Sequence, residues 1–167
     1  MLNSIVTRAV KLPFDDSTIR SICKDKVTIL LYSDLANVKD IAYILRNNPI
    51  CLLYQTDGKY SGHWVSIVML DNVIYYFDPY GMGIDYYPNT TTNEHYLSDH
   101  LIRSGLPLVT NYVDLQAKKK DINTCGRFSA LRCYFSNLTN SQFINMLNEK
   151  VALSSPDNIV TMLTLIS

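Results

Sequence analysis

Four residues of types that cooperate in covalent catalysis follow one another along the chain: His63, Asp78, Gln116 and Cys125. A cysteine nucleophile needs a thiolate at neutral pH, a base to take its proton, and donors for the oxyanion that forms. Cys125, in the run NTCGR at 123–127, falls at the predicted start of a helix. The free N–H groups and partial positive charge of a helix N-terminus lower a thiol pKa and offer an oxyanion donor. Gly126 beside it would let a substrate backbone come close. The other three cysteines look inert. Cys51 lies in an apolar run, Cys133 is further along the helix of Cys125, and Cys23 follows a polar stretch with no flanking signal.

His63 is the best base. In GHWVS it enters an apolar strand beside Trp64, which suits a cleft, although a strand histidine satisfied by a backbone carbonyl would read the same way. His95 and His100 sit in a polar, helix-like stretch with Glu94 and Asp99. Their spacing fits neither one helix face nor a zinc pattern, so they read as surface histidines. Asp78 follows a strand in FDPYG and is the best orienter of an imidazole, with a simple Asp-Pro turn as its alternative. Gln116 ends an apolar run shortly before Cys125, where its amide could face an oxyanion; a solvated strand end is the alternative. The lysines at 118–120 read as a solvated charge run. Tyr75, Tyr76, Tyr80, Tyr86 and Tyr87 would line a groove or simply pack.

These residues must be positioned by elements whose signals are mostly local. A short helix is predicted after Asp15, and a β-branched strand over 26–32. A helix capped by Ser33 is predicted over 34–47, with Leu35, Val38, Ile41, Ala42 and Leu45 on one face, stopped by Pro49. Three apolar runs at 50–55, 62–70 and 73–77, joined by turns at Asp57-Gly58 and Asp71-Asn72, read as an antiparallel meander. Pairing Leu70 with Val73 puts Val65 opposite Asp78 and makes His63 its diagonal neighbour on the same face. A turn-rich segment over 81–93 precedes a helix over 96–104 and a strand over 108–115. After a polar loop at 117–123, a helix over 125–136 presents Phe128, Leu131 and Phe135 on one face. Two further helices begin near Thr139 and at Ser155-Pro156. The pattern is α+β: a small central mixed or antiparallel sheet flanked by helices, in one domain over 1–167.

Composition narrows the function classes. The chain has 167 residues, 15 Lys plus Arg and 15 Asp plus Glu, hence no net formal charge. A protein built to grip nucleic acid or an anionic membrane would carry a basic excess. No apolar run is long enough to span a bilayer, and the N-terminus lacks the apolar core of a secretory signal. The 4 cysteines form no CxxC pair and are too sparse for a disulfide scaffold, so a reducing compartment fits and no metal is expected. The glycosylation sequons at Asn89 and Asn137 are then accidental.

The order His63, Asp78, Gln116, Cys125 differs from the papain order. It resembles that of the adenovirus maturation protease (adenain) and the ubiquitin-like-protein proteases that share its fold. The likeness rests on GHWVSI at 62–67, YFDPYG at 76–81, VDLQ at 113–116 and NTCGRFSALR at 123–132. The Phe-Asp-Pro-x-Gly and Thr-Cys-Gly-Arg forms look most like the viral branch: virophages, polinton-like elements and large DNA viruses. The resemblance implies an adenain-like fold and a thiol endopeptidase with Cys125 as nucleophile and His63 as base and later acid. Asp78 would orient the imidazole, and Gln116 with the Cys125 backbone N–H would form the oxyanion hole. Trp64 would flank the cleft. The Gln-to-Cys spacing is a few residues longer than in the best-known members, so the loop before Cys125 must bulge.

The implied substrates are viral capsid precursors cleaved during virion maturation, at small residues such as Gly-Gly or Gly-X, in the virion or in the viral factory of the host cytoplasm. No cofactor and no membrane partner are expected, and the charge balance gives no support to stimulation by nucleic acid. Two other readings remain open. One is a protease that processes or deconjugates ubiquitin-like proteins. The other is an inactive protease fold used as an interaction module.

Overall fold

The computed structural model of the chain describes residues 2–55, 62–89, 94–151 and 154–167. Its centre is a five-stranded mixed sheet in the order β1-β2-β3-β4-β5: β1 Thr28–Leu31, β2 Ile50–Gln55, β3 Gly62–Leu70, β4 Val73–Phe77 and β5 Leu108–Thr110. The pairs β2–β3 and β3–β4 are antiparallel, as the meander required; β1 and β5 join the two sides in parallel. Asp71 and Asn72 both have positive φ, 51° and 59°, the backbone of a two-residue turn that pairs Leu70 with Val73. The turn expected at Asp57-Gly58 lies outside the described residues.

Helices cover both faces. The 3-10 helix Tyr32–Asn37, α3 (Ile41–Asn47) and α5 (Tyr96–Ser104) enclose a core that includes Leu35, Leu45, Leu52, Ile67, Tyr76 and Leu101. On the other face lies α6 (Cys125–Tyr134), backed by α7 (Asn140–Val151) and α8 (Pro156–Leu165). Every residue of α6 from Gly126 to Cys133 is buried, because the helix is enclosed on all sides. Phe128, Leu131 and Phe135 face α7 and α8, as their spacing predicted, while Ala130 and Cys133 pack towards Cys51 and Trp64 of the sheet. Two N-terminal helices, α1 (Leu2–Ala9) and α2 (Asp16–Ile22), complete this side; α1 was not foreseen. Asp15 caps α2, its Oδ1 accepting from the Thr18 N–H at 2.8 Å. A four-residue helix, α4 (Tyr86–Asn89), precedes α5. Among the described residues no helix is long and apolar enough to cross a membrane.

Three expectations are corrected. The helix over 34–47 is two pieces. Asp34 turns its carboxylate back to the Leu31 N–H (2.8 Å), tightening a 3-10 turn, and Asp40 starts α3 afresh by accepting from the Tyr43 N–H at 3.1 Å. The strand over 108–115 stops at Thr110: the Asn111 N–H makes a last bond to the Tyr76 carbonyl at 3.3 Å, and its side chain binds the backbone of Asp78. His100 is not on the surface: it is buried, with Nε2 2.7 Å from the Leu35 carbonyl. His95 is exposed.

Candidate active site

His63, Asp78 and Cys125 come together at the end of the β3–β4 hairpin. His63 is the second residue of β3, opposite Tyr54 of β2, and Asp78 follows β4 directly. The hairpin register brings His63 Nε2 to 2.7 Å from Asp78 Oδ1, with the two side chains 8% and 0% exposed. Cys125, at the first position of α6, lies close enough to the His63 ring for thiol and imidazole to act on each other electrostatically.

The surroundings favour charge separation between sulfur and ring. Burial opposes a charged His63, but the hydrogen bonds with Asp78 and Cys125 outweigh it, and the ring's pKa is raised to about 9. Burial likewise opposes a thiolate at Cys125. The hydrogen bond and charge of His63, with the backbone N–H groups of Trp64 and Gly126, overcome it and pull the thiol below its ordinary value. Tyr80 stacks on the imidazole with ring centres 4.7 Å apart, and Tyr87 leans on it at 4.8 Å. Aromatic faces are electronegative and suit a cationic ring. These two tyrosines therefore enclose the imidazole, where the sequence left groove and packing equally open. The remaining cysteines contrast with Cys125: Cys23, Cys51 and Cys133 are buried, and burial pushes the Cys23 thiol up to about 12.

Asp78 is held from several directions. Oδ1 also accepts from the Tyr80 N–H at 2.8 Å, and Oδ2 from the Tyr87 hydroxyl at 2.7 Å. Its own N–H donates to Asn111 Oδ1, and Asn111 Nδ2 donates to its carbonyl, both at 2.8 Å. Asn111 is a contributor that sequence reasoning missed; the signal was an amide interrupting an apolar strand. Gly81, with φ +68°, closes this corner: a Cβ there would lie 2.9 Å from the backbone carbons of Tyr112 and Val113.

Gln116 is buried at 3% exposure beside this corner, its N–H donating to the Pro79 carbonyl at 3.0 Å. Its amide is poorly satisfied: Nε2 is 3.5 Å from the Ile122 carbonyl and Oε1 has no partner. Trp64 lies against the N-terminal segment, its Nε1 donating to the Phe14 carbonyl at 3.2 Å. Gly126 is buried under Phe14, and a Cβ on it would come within 2.6 Å of the Phe14 Cβ. The space left by the missing side chain is thus filled by the protein itself, and Phe14 rather than a substrate backbone occupies it. Arg127 reinforces the arrangement, its guanidinium 4.3 Å above the Phe14 ring and bonded to the Ala9 carbonyl at 3.1 Å.

A cavity of about 680 Å³ opens beside the thiol. Phe14, Trp64 and Cys125 line it together with the apolar Ile29, Leu31 and Leu53 and the charged Asp15, Asp16, Asp34 and Arg20.

The mixed sheet and its helices define a fold that a viral protease also uses. The crystal structure of the selenomethionine form of ASFV pS273R protease superposes with a TM-score of 0.55 at 13% identity, covering 94% of this chain and 68% of that one. A second crystal structure of ASFV pS273R protease gives 0.50 at 15% identity, with the same coverage. The sequence itself is similar to uncharacterized protein V9 of Sputnik virophage, 28% identical over an alignment that covers 93% of this chain and 95% of that protein. No family model matches the sequence.

Proposed function

We propose that the chain is a viral thiol endopeptidase, a single catalytic unit over 1–167 that cleaves capsid precursors during particle maturation. One observation carries the enzymatic reading: the buried His63–Asp78 pair at 2.7 Å, with Cys125 near enough to the ring that thiol and imidazole shift each other's pKa in opposite directions. The likeness to a virophage protein and the fold shared with a viral protease support the viral setting.

In this mechanism the Cys125 thiolate attacks the scissile carbonyl carbon, and the carbonyl oxygen becomes an oxyanion. The Gln116 amide and the Cys125 backbone N–H receive that charge. The His63 imidazolium protonates the departing amine, leaving a thioester on Cys125. His63, now neutral, takes a proton from water; the resulting hydroxide releases the acid, and the thiolate–imidazolium pair is restored. Asp78 keeps the imidazole in the tautomer and orientation that both transfers need. Trp64 flanks the cleft, with Gly126 behind it.

Two measurements test this. Iodoacetamide at neutral pH should alkylate native Cys125 far faster than the cysteines of the denatured chain; a native Cys125 slower than the denatured control sinks the enzymatic reading. Co-expression with a candidate capsid precursor should give processed product with the native chain and none with Cys125→Ala. Equal processing by both removes the proposed role.

A further inference from the structure

Asp157 is a buried carboxylate, 4% exposed, that the mechanism above does not use. It sits in the first turn of α8, remote in sequence from every catalytic candidate. Its Oδ2 accepts from the Ala117 N–H at 3.0 Å, and its Oδ1 accepts from the Thr124 hydroxyl. Ala117 directly follows Gln116, and Thr124 directly precedes Cys125. One carboxylate therefore closes both ends of the long loop between Gln116 and the nucleophile.

The bond to Thr124 has a second consequence. Thr124 is the N-cap residue of α6, and a threonine there ordinarily turns its oxygen onto the helix's own N–H groups. Here its side chain makes no capping bond, because the hydroxyl is directed at Asp157. The first-turn N–H groups stay uncapped by Thr124, and that of Gly126 stabilises the Cys125 sulfur. Gln116 is meanwhile gripped from both sides, through its own N–H to Pro79 and through the next N–H to Asp157.

We propose that Asp157 is a positioning residue for oxyanion stabilisation: it holds Gln116 and the α6 N-terminus at a fixed separation and diverts Thr124 from capping the helix. This rests on the protease reading. It separates two properties of the site. Thiolate formation depends on His63, which Asp157 does not touch, together with the Trp64 and Gly126 N–H groups, and it affects alkylation and acylation of the sulfur alike; stabilisation of a tetrahedral oxyanion depends in addition on the separation of Gln116 and α6 that Asp157 sets.

Two reagents read those properties apart. Iodoacetamide alkylates the thiolate by displacing iodide and forms no oxyanion. p-Nitrophenyl acetate acylates it through a tetrahedral oxyanion: an S–C bond forms, the ester C–O bond breaks, and p-nitrophenolate leaves without needing a proton. Both rates are measured for the full chain, with Cys125→Ala as background. In Asp157→Asn, whose amide turns N–H towards one of the two donors, the ratio of acylation to alkylation should fall about tenfold or more, since each oxyanion donor carries a large share of such a step. Thr124→Val should lower the ratio in the same direction, and Thr124→Ser, which keeps the hydroxyl, should restore it.

Variants that fold and keep the wild-type ratio within about twofold overturn the positioning role, as does a parallel loss of both rates. If Asp157→Asn does not fold, Thr124→Val decides. A wild-type Cys125 inert to both reagents overturns the protease reading itself, a result distinct from reactive wild type with an unchanged ratio.

Discussion

Asn111 grips the peptide unit of Asp78 from both sides, accepting from its N–H and donating to its carbonyl, each at 2.8 Å. Both groups are deep in the protein, with Asn111 4% and Asp78 0% exposed. Asn111→Leu would leave the Asp78 N–H without a partner, while the Asp78 carbonyl keeps the Gly81 N–H at 2.8 Å. One unsatisfied buried backbone donor costs about 1–3 kcal/mol, so the variant is expected to lose that much stability in urea unfolding, and to alkylate Cys125 more slowly. Unchanged stability would show that the amide is not what holds the corner.

The pH dependence has a definite sign. His63 binds its proton up to about 9 when folded, against an ordinary 6.5. Its contribution to stability is therefore full below 6.5 and is lost as pH rises through about 9. Proteolytic turnover is expected to fall over the same alkaline range, as the acid that protonates the leaving amine disappears. In Asp78→Asn the ring loses its anionic partner, so the alkaline limb of turnover should move to lower pH and kcat drop by about two orders of magnitude or more. A pH–rate profile of native and variant chains checks both statements.

Alkylation reads the thiolate. Since Cys125 is held below its ordinary value of 9.0, the pH profile of its iodoacetamide rate should have its midpoint at lower pH than that of the cysteines in the denatured chain. Removing the ring in His63→Ala should move the midpoint back up.

Tyr87 donates to Asp78 Oδ2 at 2.7 Å while its ring leans on His63. Tyr87→Phe keeps the ring and removes the donor, leaving a buried carboxylate oxygen short of a partner at a cost of about 1–3 kcal/mol. The expected result is a lower melting temperature and reduced kcat with KM little changed. A change confined to KM would assign Tyr87 to substrate contact instead.

Gly126→Ala tests the wall of the cleft. The added methyl would meet Phe14 at 2.6 Å and Trp64 at 3.2 Å. Overpacking of this kind costs about 1–3 kcal/mol, and the displaced N-terminal segment should alter the cavity beside Cys125. KM for a peptide substrate is expected to rise; because the clash is with the Phe14 Cβ, which leucine keeps, Phe14→Leu should not restore it.

What the chain declares locally was legible in its sequence. The two-residue turn at Asp71 and Asn72 sets the β3–β4 register, and with it the approach of His63 to Asp78, because hairpin pairing propagates residue by residue from the turn. The caps at Asp15 and Ser155 and the stop before Pro49 follow from side chains bonding their own backbone and from proline sterics. The start of α6 at Cys125 was equally readable. Only the tertiary structure decided what lies across the chain from these elements. His100 is buried because α5 packs on the 3-10 turn carrying Leu35. The Asn111 side chain binds the backbone of a residue 33 positions away. Phe14 fills the space over Gly126, and Asp157 closes a loop that begins 40 residues earlier. Such partners leave no periodic or local trace, since the free energy of satisfying a buried group depends on what folding brings beside it and not on its neighbours in the chain.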